Sequence, residues 1–387
     1  MNKLYNTQKE ISTNIYNFLK LNFSFLRKTQ LNIIPHIIFG MIFSNSCNAS
    51  SIASVLKDDF SFVKLDSVTK RIRRFFNNNL FDPYLFYFSF IKFVISSYKL
   101  KHNDKRIHIT FDHSYSHENY TIYFISLRVG KQGIPLYFEC FKDINNPLSY
   151  FDDTIIKGIN FIHDLFKDYD FDLIFLADRW FNSSKVLNHI DSLGHTYVVR
   201  LKSNIRIATF DSKEGHYIRK LTSDLDTYVH KAKYYPDTFI FESLSFKTNI
   251  VLSNSKNTSS PWILATNGDV TKAIKDYSYR FGSIESIFKH QKSNGFNLEK
   301  VNNSNLLSFT SMFSLLCFSI TWLTLIGTDY STHSTSYPNC RFETHKTRNG
   351  RLTRVVSLFK IGMTIMKRAF NSPVYIKIPY NFKLYDV

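Results

Sequence analysis

Between residues 106 and 202 the apolar positions fall into short strand-like runs broken by two helical stretches. Arg106 to Phe111 reads as an apolar run whose last residue delivers Asp112 to a sheet edge. Tyr120 to Val129 is rich in Tyr, Ile, Phe and Leu, Gly130 to Gly133 makes a turn, and Ile134 to Lys142 returns as a hairpin partner. From Asp152 to Lys167 the apolar residues Ile155, Ile156, Ile159, Ile162, Leu165 and Phe166 recur at helical spacing, which predicts a helix capped by Asp152 or Asp153. Phe171 to Ala177 is a nearly continuous apolar run, as expected for a strand buried on both faces, and it ends at Asp178-Arg179. A helix over Ser183 to Leu193, stopped by Gly194, leads to a fifth strand from His195 to Lys202. The order β-β-β-α-β-α-β predicts an α/β fold: a mixed five-stranded sheet flanked by helices.

The flanking segments have other patterns. Residues 1–100 read as helical, and Ala49 to Lys57 with Asp66 to Asn77 resembles a helix-turn-helix. Its second helix carries Lys70, Arg71, Arg73 and Arg74, with Asp66 or Ser67 as N-cap. Residues 205–266 form a β-rich insertion with strand-like pieces at Thr238 to Phe246, Asn249 to Leu252 and Trp262 to Ala265. A helix is predicted over Ser283 to Gly295, with Ile284, Ile287 and Phe288 on its apolar face. On an ideal helix Lys292 returns to within roughly 20° of Glu285. Leu306 to Ile326 is about long enough to span a bilayer, but its seven Ser and Thr residues point to a buried core helix and no membrane. The predicted parts are 1–100, a core in two pieces (101–204 and 267–330), the insertion between them, and a basic region over 331–387.

Charge then narrows the partner. In 387 residues, 49 Lys and Arg face 31 Asp and Glu, a net charge of +18 suited to polyanions. Abundant Asn, Lys, Ile, Phe and Tyr suggest an AT-rich coding sequence, which accounts for part of that charge. Cys47, Cys140, Cys317 and Cys340 form no C-x-x-C pair, so neither a zinc site nor a disulfide framework is indicated. No leader pattern opens the chain, and cytoplasmic residence is expected.

Three carboxylates remain at the sites where chemistry would be placed: Asp112 and Asp178 at strand ends, and Glu285 on the later helix. Together with LADRWF (Leu176 to Phe181), YVVRLKSN (Tyr197 to Asn204) and YSYRFGSIESIFKHQKSNGF (Tyr277 to Phe296), they closely resemble bacterial insertion-sequence transposases of the DDE class, in the branch with a Tyr-Arg-Glu-Lys signature. The resemblance covers roughly residues 45 to 330. It implies an RNase H-like catalytic core and an enzyme that cuts and pastes DNA. Two Mg²⁺ or Mn²⁺ ions would be held by hard oxygen ligands, with Asp112 bridging both and Asp178 and Glu285 each holding one. It further implies terminal-repeat and target DNA as partners, a homodimer that pairs two ends, a place beside the bacterial nucleoid, and Tyr277, Arg280 and Lys292 on phosphates. Arg179, Arg200 and Lys202 are further candidates for DNA contact. The sequence departs from the signature in one place: four residues, Phe281 to Ile284, separate Arg280 from Glu285 where the family has three. A metal-dependent nuclease of the same fold, or a DNA-binding remnant without catalysis, are the alternatives. Trp262 and Tyr234 or Tyr235 could hold a flipped base in the insertion, though plain packing is the simpler reading. His113 and His117 read as bystanders.

Overall fold

The computed structural model describes the chain apart from residues 1–7, 57–63, 101–104, 116–119, 143–147, 226–231, 242–243, 255–260, 293–294, 302–304, 338–339, 347–349, 351 and 372–381. His117 lies outside the described residues. The chain opens with helices α1 (Gln8–Asn22), α2 (Lys28–Ser44), α3 (Ala49–Leu56), α4 (Leu65–Phe76) and α5 (Pro83–Ser96). Strands β1 (Arg106–Tyr115), β2 (Tyr120–Val129) and β3 (Gln132–Lys142) follow, then α6 (Leu148–Phe166), β4 (Asp172–Ala177), α7 (Ser184–Ser192) and β5 (Thr196–Arg200). The segment after β5 contributes β6 (Arg206–Asp211), β7 (His216–Leu221), β8 (Ala232–Ile240), β9 (Phe246–Ser253) and β10 (Trp262–Thr266). Helices α8 (Val270–Ser278), α9 (Ile284–Gln291) and α10 (Leu306–Thr332) come next. The small hairpin β11 (Thr344–Lys346) and β12 (Leu352–Arg354) and helix α11 (Leu358–Asn371) complete the elements.

The sheet differs from the five-stranded expectation. It is one mixed sheet of ten strands in the order β3-β2-β1-β4-β5-β10-β9-β8-β6-β7, with helices on its faces. β10 returns antiparallel to β5 and carries β9, β8, β6 and β7 out beyond it, so the inserted segment extends the sheet instead of forming a separate layer. Among the described strands of this sheet, only β1–β4 and β4–β5 pair in parallel. These central strands bury both faces, which is why Phe171 to Ala177 reads as one apolar run.

Local chemistry explains the shifted boundaries. β1 does not stop at Phe111 but runs to Tyr115, because β2 continues to pair with it as far as Tyr115 opposite Thr121. Asp152 and Asp153 do not cap a helix, since α6 starts four residues earlier. Asp152 instead accepts a hydrogen bond from Ser183 Oγ at 2.6 Å, and Asp153 pairs with Lys185 at 2.6 Å, tying α6 to the start of α7. The N-cap position of α4 is Lys64, and Asp66 pairs with Lys70 one turn on.

α10 is the only described helix long and apolar enough to cross a membrane, and its apolar stretch is buried inside the protein. It packs against α2, α5, α11 and β3. Thr310, Ser319 and Thr324 donate back to the carbonyls of Leu306, Leu315 and Ile320 in their own helix, which satisfies hydroxyls that the core would otherwise strand. The contact with α11 is backbone to backbone. A Cβ on Gly327 would lie 2.1 Å from the Leu358 carbonyl, and one on Gly362 would lie 1.8 Å from that of Leu323.

A buried polar knot fastens α9 to this core. Gln132 Nε2 donates to His290 Nε2 at 3.0 Å, Gln132 Oε1 accepts the Phe359 backbone N–H at 3.0 Å, and the His290 ring stacks on Phe359 at 4.0 Å. Burial, assisted by the charge of Lys289, pushes the imidazole down to about 4. Below the unfolded pKa of about 6.5 the unfolded chain takes up a proton that the folded one refuses. Stability is therefore full above that pH and falls as pH drops toward 4, by up to about 3 kcal/mol. Denaturant unfolding of wild type and His290→Gln at a series of pH values measures this; the expected outcome is a visibly flatter profile for the variant.

Candidate active site

The parallel register of β1, β4 and β5 places three charged residues side by side. Phe111 pairs with Ala177, and Ala177 pairs with Val199. One position on, Asp112, Asp178 and Arg200 therefore stand in a row across adjacent strands. Side chains alternate along a strand, so Asp112 shares a face with Arg106, His108 and Thr110, while Asp178 shares one with Ile174 and Leu176. Because paired positions point to the same side, both carboxylates face the side covered by α8 and α9.

The segment from α8 to α9 docks onto that side through the polar positions of β1. Asp276, 2% exposed, accepts from Arg106 at 2.8 and 3.2 Å and from His108 Nε2 at 2.9 Å. Burial alone would raise its carboxyl, but His108 and Arg106 outweigh that and hold it below the ordinary carboxylate range. Ser283 Oγ lies 3.3 Å from Thr110 Oγ1, which lies 2.6 Å from Ser126 on β2. Between these two anchors, Arg280 Nη2 reaches Asp112 Oδ2 at 2.5 Å and Asp178 Oδ2 at 3.7 Å. None of Asp276, His108 or Ser283 stands out in the sequence reading. Their signal is the alternation Arg106, His108, Thr110, Asp112, which marks a strand with a polar face to be covered.

Arg280 is 8% exposed, and its Nε is a buried donor with no partner. Burial pushes the Asp112 carboxyl above its ordinary range, Arg280 pulls it back, and Asp178 pushes it up again. The Asp112 carboxylate also accepts the His113 backbone N–H at 2.8 Å, and Asp178 accepts that of Trp180 at 2.9 Å. Tyr277 is 1% exposed, close enough to Arg280, Arg200, Asp178 and Asp112 to feel their charges, and burial raises its hydroxyl. It packs edge-on against Trp262, which stacks at 5.5 Å on Phe281.

Two carboxylates converging on one positive charge are a donor set that suits a hard divalent cation. In this structure the charge between them is a guanidinium. Glu285 does not join them: among the described residues no three His, Cys, Asp or Glu side chains gather closely enough to hold a metal. The signature residues are divided between two helices. Tyr277 lies in α8, Arg280 follows its end, and Gly282 at φ +85° turns the chain into α9. Glu285 sits half-buried in the first turn of α9.

Lys292 does not share a helical face with Glu285 as ideal geometry predicts. α9 ends at Gln291, where Phe296 N–H bonds the His290 carbonyl and Asn297 N–H that of Lys292, and the Lys292 ammonium pairs with Glu299 at 3.5 Å. Arg179 and Lys202 are exposed near the aspartates, whereas Arg200 is half-buried. Lys70, Arg71, Arg73 and Arg74 form the exposed side of α4, with Val68, Ile72, Phe75 and Phe76 buried beneath. Of the insertion's aromatics, Tyr234 is 42% exposed, and Tyr235 lies under Lys220 and Lys233. His113 Nδ1 is 3.8 Å from Asp112.

No protein-family model matches the chain, and no curated protein matches it. Among solved structures, it is similar to the Marinitoga piezophila Argonaute in complex with 5′ OH guide RNA and target DNA, at 13% identity and a TM-score of 0.22. That match covers 60% of this chain and spans 33% of the Argonaute.

Proposed function

We propose that this chain is an insertion-sequence transposase of the DDE class, a metal-dependent DNA phosphoryl transferase with an RNase H-like core. The observation that carries the reading is the placement of Asp112 and Asp178 side by side at parallel strands, both partly buried and facing one cationic group, Arg280. The antiparallel β3-β2-β1 joined to the parallel β1-β4-β5 supports the RNase H-like assignment.

Asp112 and Asp178 would hold Mg²⁺ or Mn²⁺, and Glu285, which stands apart from them in this structure, would have to move in as third carboxylate for a full complement of two ions. When bound, such ions activate a water or 3′-hydroxyl and stabilise the leaving oxygen of an in-line displacement. The protein's own groups do the rest. Arg179, Lys202 and Arg200 bind phosphates around the recess, and Arg280 offsets the charge of the two aspartates. Tyr277 supports Arg280 from below, and Lys292 reaches phosphates farther from the recess. The basic side of α4 docks on duplex DNA, inserting into a major groove as the second helix of a helix-turn-helix. Two copies pair two transposon ends as a homodimer.

A second reading is favoured by one observation, the occupation of Asp112 by Arg280 with Glu285 lying apart: a DNA-binding protein that holds ends without cutting them. Incubation of a labelled duplex bearing the terminal repeats that flank the coding sequence, with Mg²⁺ or Mn²⁺, distinguishes the two. The expected outcome is metal-dependent nicking at the repeat edge, reduced about a hundredfold or more by Glu285→Gln. Tight, salt-sensitive binding without nicking favours the second reading, and joining of cut ends to a target plasmid separates a transposase from a nuclease.

A further inference from the structure

Trp180 is 57% exposed, although Phe181 beside it is buried to 1% and packs edge-on against Phe111 at 4.9 Å. The turn after β4 is thus already anchored by one aromatic side chain, and the indole is not needed in the core. Its backbone N–H donates to Asp178 Oδ1, which fixes the residue next to that carboxylate. Its ring lies 5.8 Å from the ring of His113, the residue following Asp112. Lys202 Nζ stands 5.5 Å from the indole centroid, and Arg179 is exposed immediately before it. An exposed aromatic side chain therefore sits beside the Asp112–Asp178 pair, with Lys202 over its ring and the exposed Arg179 next to it in the chain.

We infer that Trp180 is a stacking platform for an unpaired nucleobase at the reacting phosphate, with Lys202 and Arg179 taking the flanking phosphates. The inference rests on the phosphoryl-transfer reading above. Every base has a π-face, so such a platform holds a strand with little regard to sequence, and cations beside it follow the backbone. In an intact duplex the bases already stack on one another. The occupant is therefore a nucleotide freed from its pair, at a strand end or beside a nick, and Trp180 is a positioning residue that holds that nucleotide over the carboxylates.

The test compares a blunt fluorescein-labelled duplex with the same duplex carrying a short single-stranded 3′ overhang, by anisotropy, with Ca²⁺ in place of Mg²⁺. The full-length chain, Trp180→Ala and Trp180→Phe are titrated with each. The expected result is that wild type prefers the overhang by about tenfold. Trp180→Ala should lose that preference at unchanged affinity for the blunt duplex, and Trp180→Phe should keep most of it. Overhang binding should quench the tryptophan emission of wild type and leave that of Trp180→Phe unaltered. Equal affinity of wild type and Trp180→Ala for the overhang overturns the stacking role while leaving the nucleic-acid reading in place. Equal losses on both probes, with Phe no better than Ala, overturn it as well. Failure of wild type to bind either probe overturns both.

Discussion

Asp112→Asn is expected to lower metal-dependent strand cleavage by about a thousandfold while the protein stays folded. The amide keeps the shape of the carboxyl and can still accept a hydrogen bond from Arg280, but it removes one of the two charges that would hold the cation. The fold should tolerate the change. The side chain is 15% exposed, and burial already works against its ionised form, so a neutral group at this position relieves a cost. Arg280 retains Asp178 as its partner. Cleavage rates of wild type and variant on the same labelled duplex, with thermal unfolding of both, check the prediction. Cleavage within a few-fold of wild type would remove Asp112 from the chemistry.

The second large effect concerns Arg280. Without it, Asp112 and Asp178 stand on neighbouring strands with no cation between them. Arg280→Ala is expected to cost about 3 kcal/mol in protein stripped of divalent ions, the usual loss when one partner of a buried ion pair is removed. The same substitution frees both carboxylates, so added Mg²⁺ should restore stability in proportion to its binding. Recovery reaches about 2.7 kcal/mol at a hundredfold excess over the dissociation constant. Wild type should gain less, because its guanidinium competes for the same oxygens. Denaturant unfolding of both proteins with EDTA and with Mg²⁺ measures the difference. A variant whose stability ignores Mg²⁺ would show that the aspartates do not form a cation site.

The strands and helices of the central unit are legible in the sequence because their periods are strong. β2 is delimited to the residue, and the run ending at Ala177 fixes where Asp178 lies. Once β1 and β4 are parallel neighbours, the adjacency of Asp112 and Asp178 follows. What the sequence hides depends on partners far along the chain. The polar side of β1 is read as part of an apolar run because Asp276, which satisfies it, lies 168 residues from His108. The extension of the sheet depends on β10 returning to β5, which no local pattern announces. The expected alignment of Glu285 with Lys292 presumes one unbroken helix, whereas the turn at Gly282 and the close after Gln291 leave α9 only eight residues. The caps misplaced at Asp66 and Asp152 fail for a simpler reason: a carboxylate near a helix start serves equally well in an ion pair or a side-chain hydrogen bond.

The burial of α10 sets the order in which the molecule can be made. The helix that α2, α5 and β3 pack against lies between residues 306 and 332, and α11, which closes over it, ends at residue 371. During synthesis the segment that precedes α10 leaves the ribosome with the apolar surfaces of α2, α5 and β3 still waiting for their central partner. Contacts of such long sequence separation form slowly, and the exposed surfaces before they close are sites of aggregation. A nascent chain cut short before α10 should therefore be held by chaperones or degraded. A protein of this design reaches its working form only after α10 and α11 have been translated.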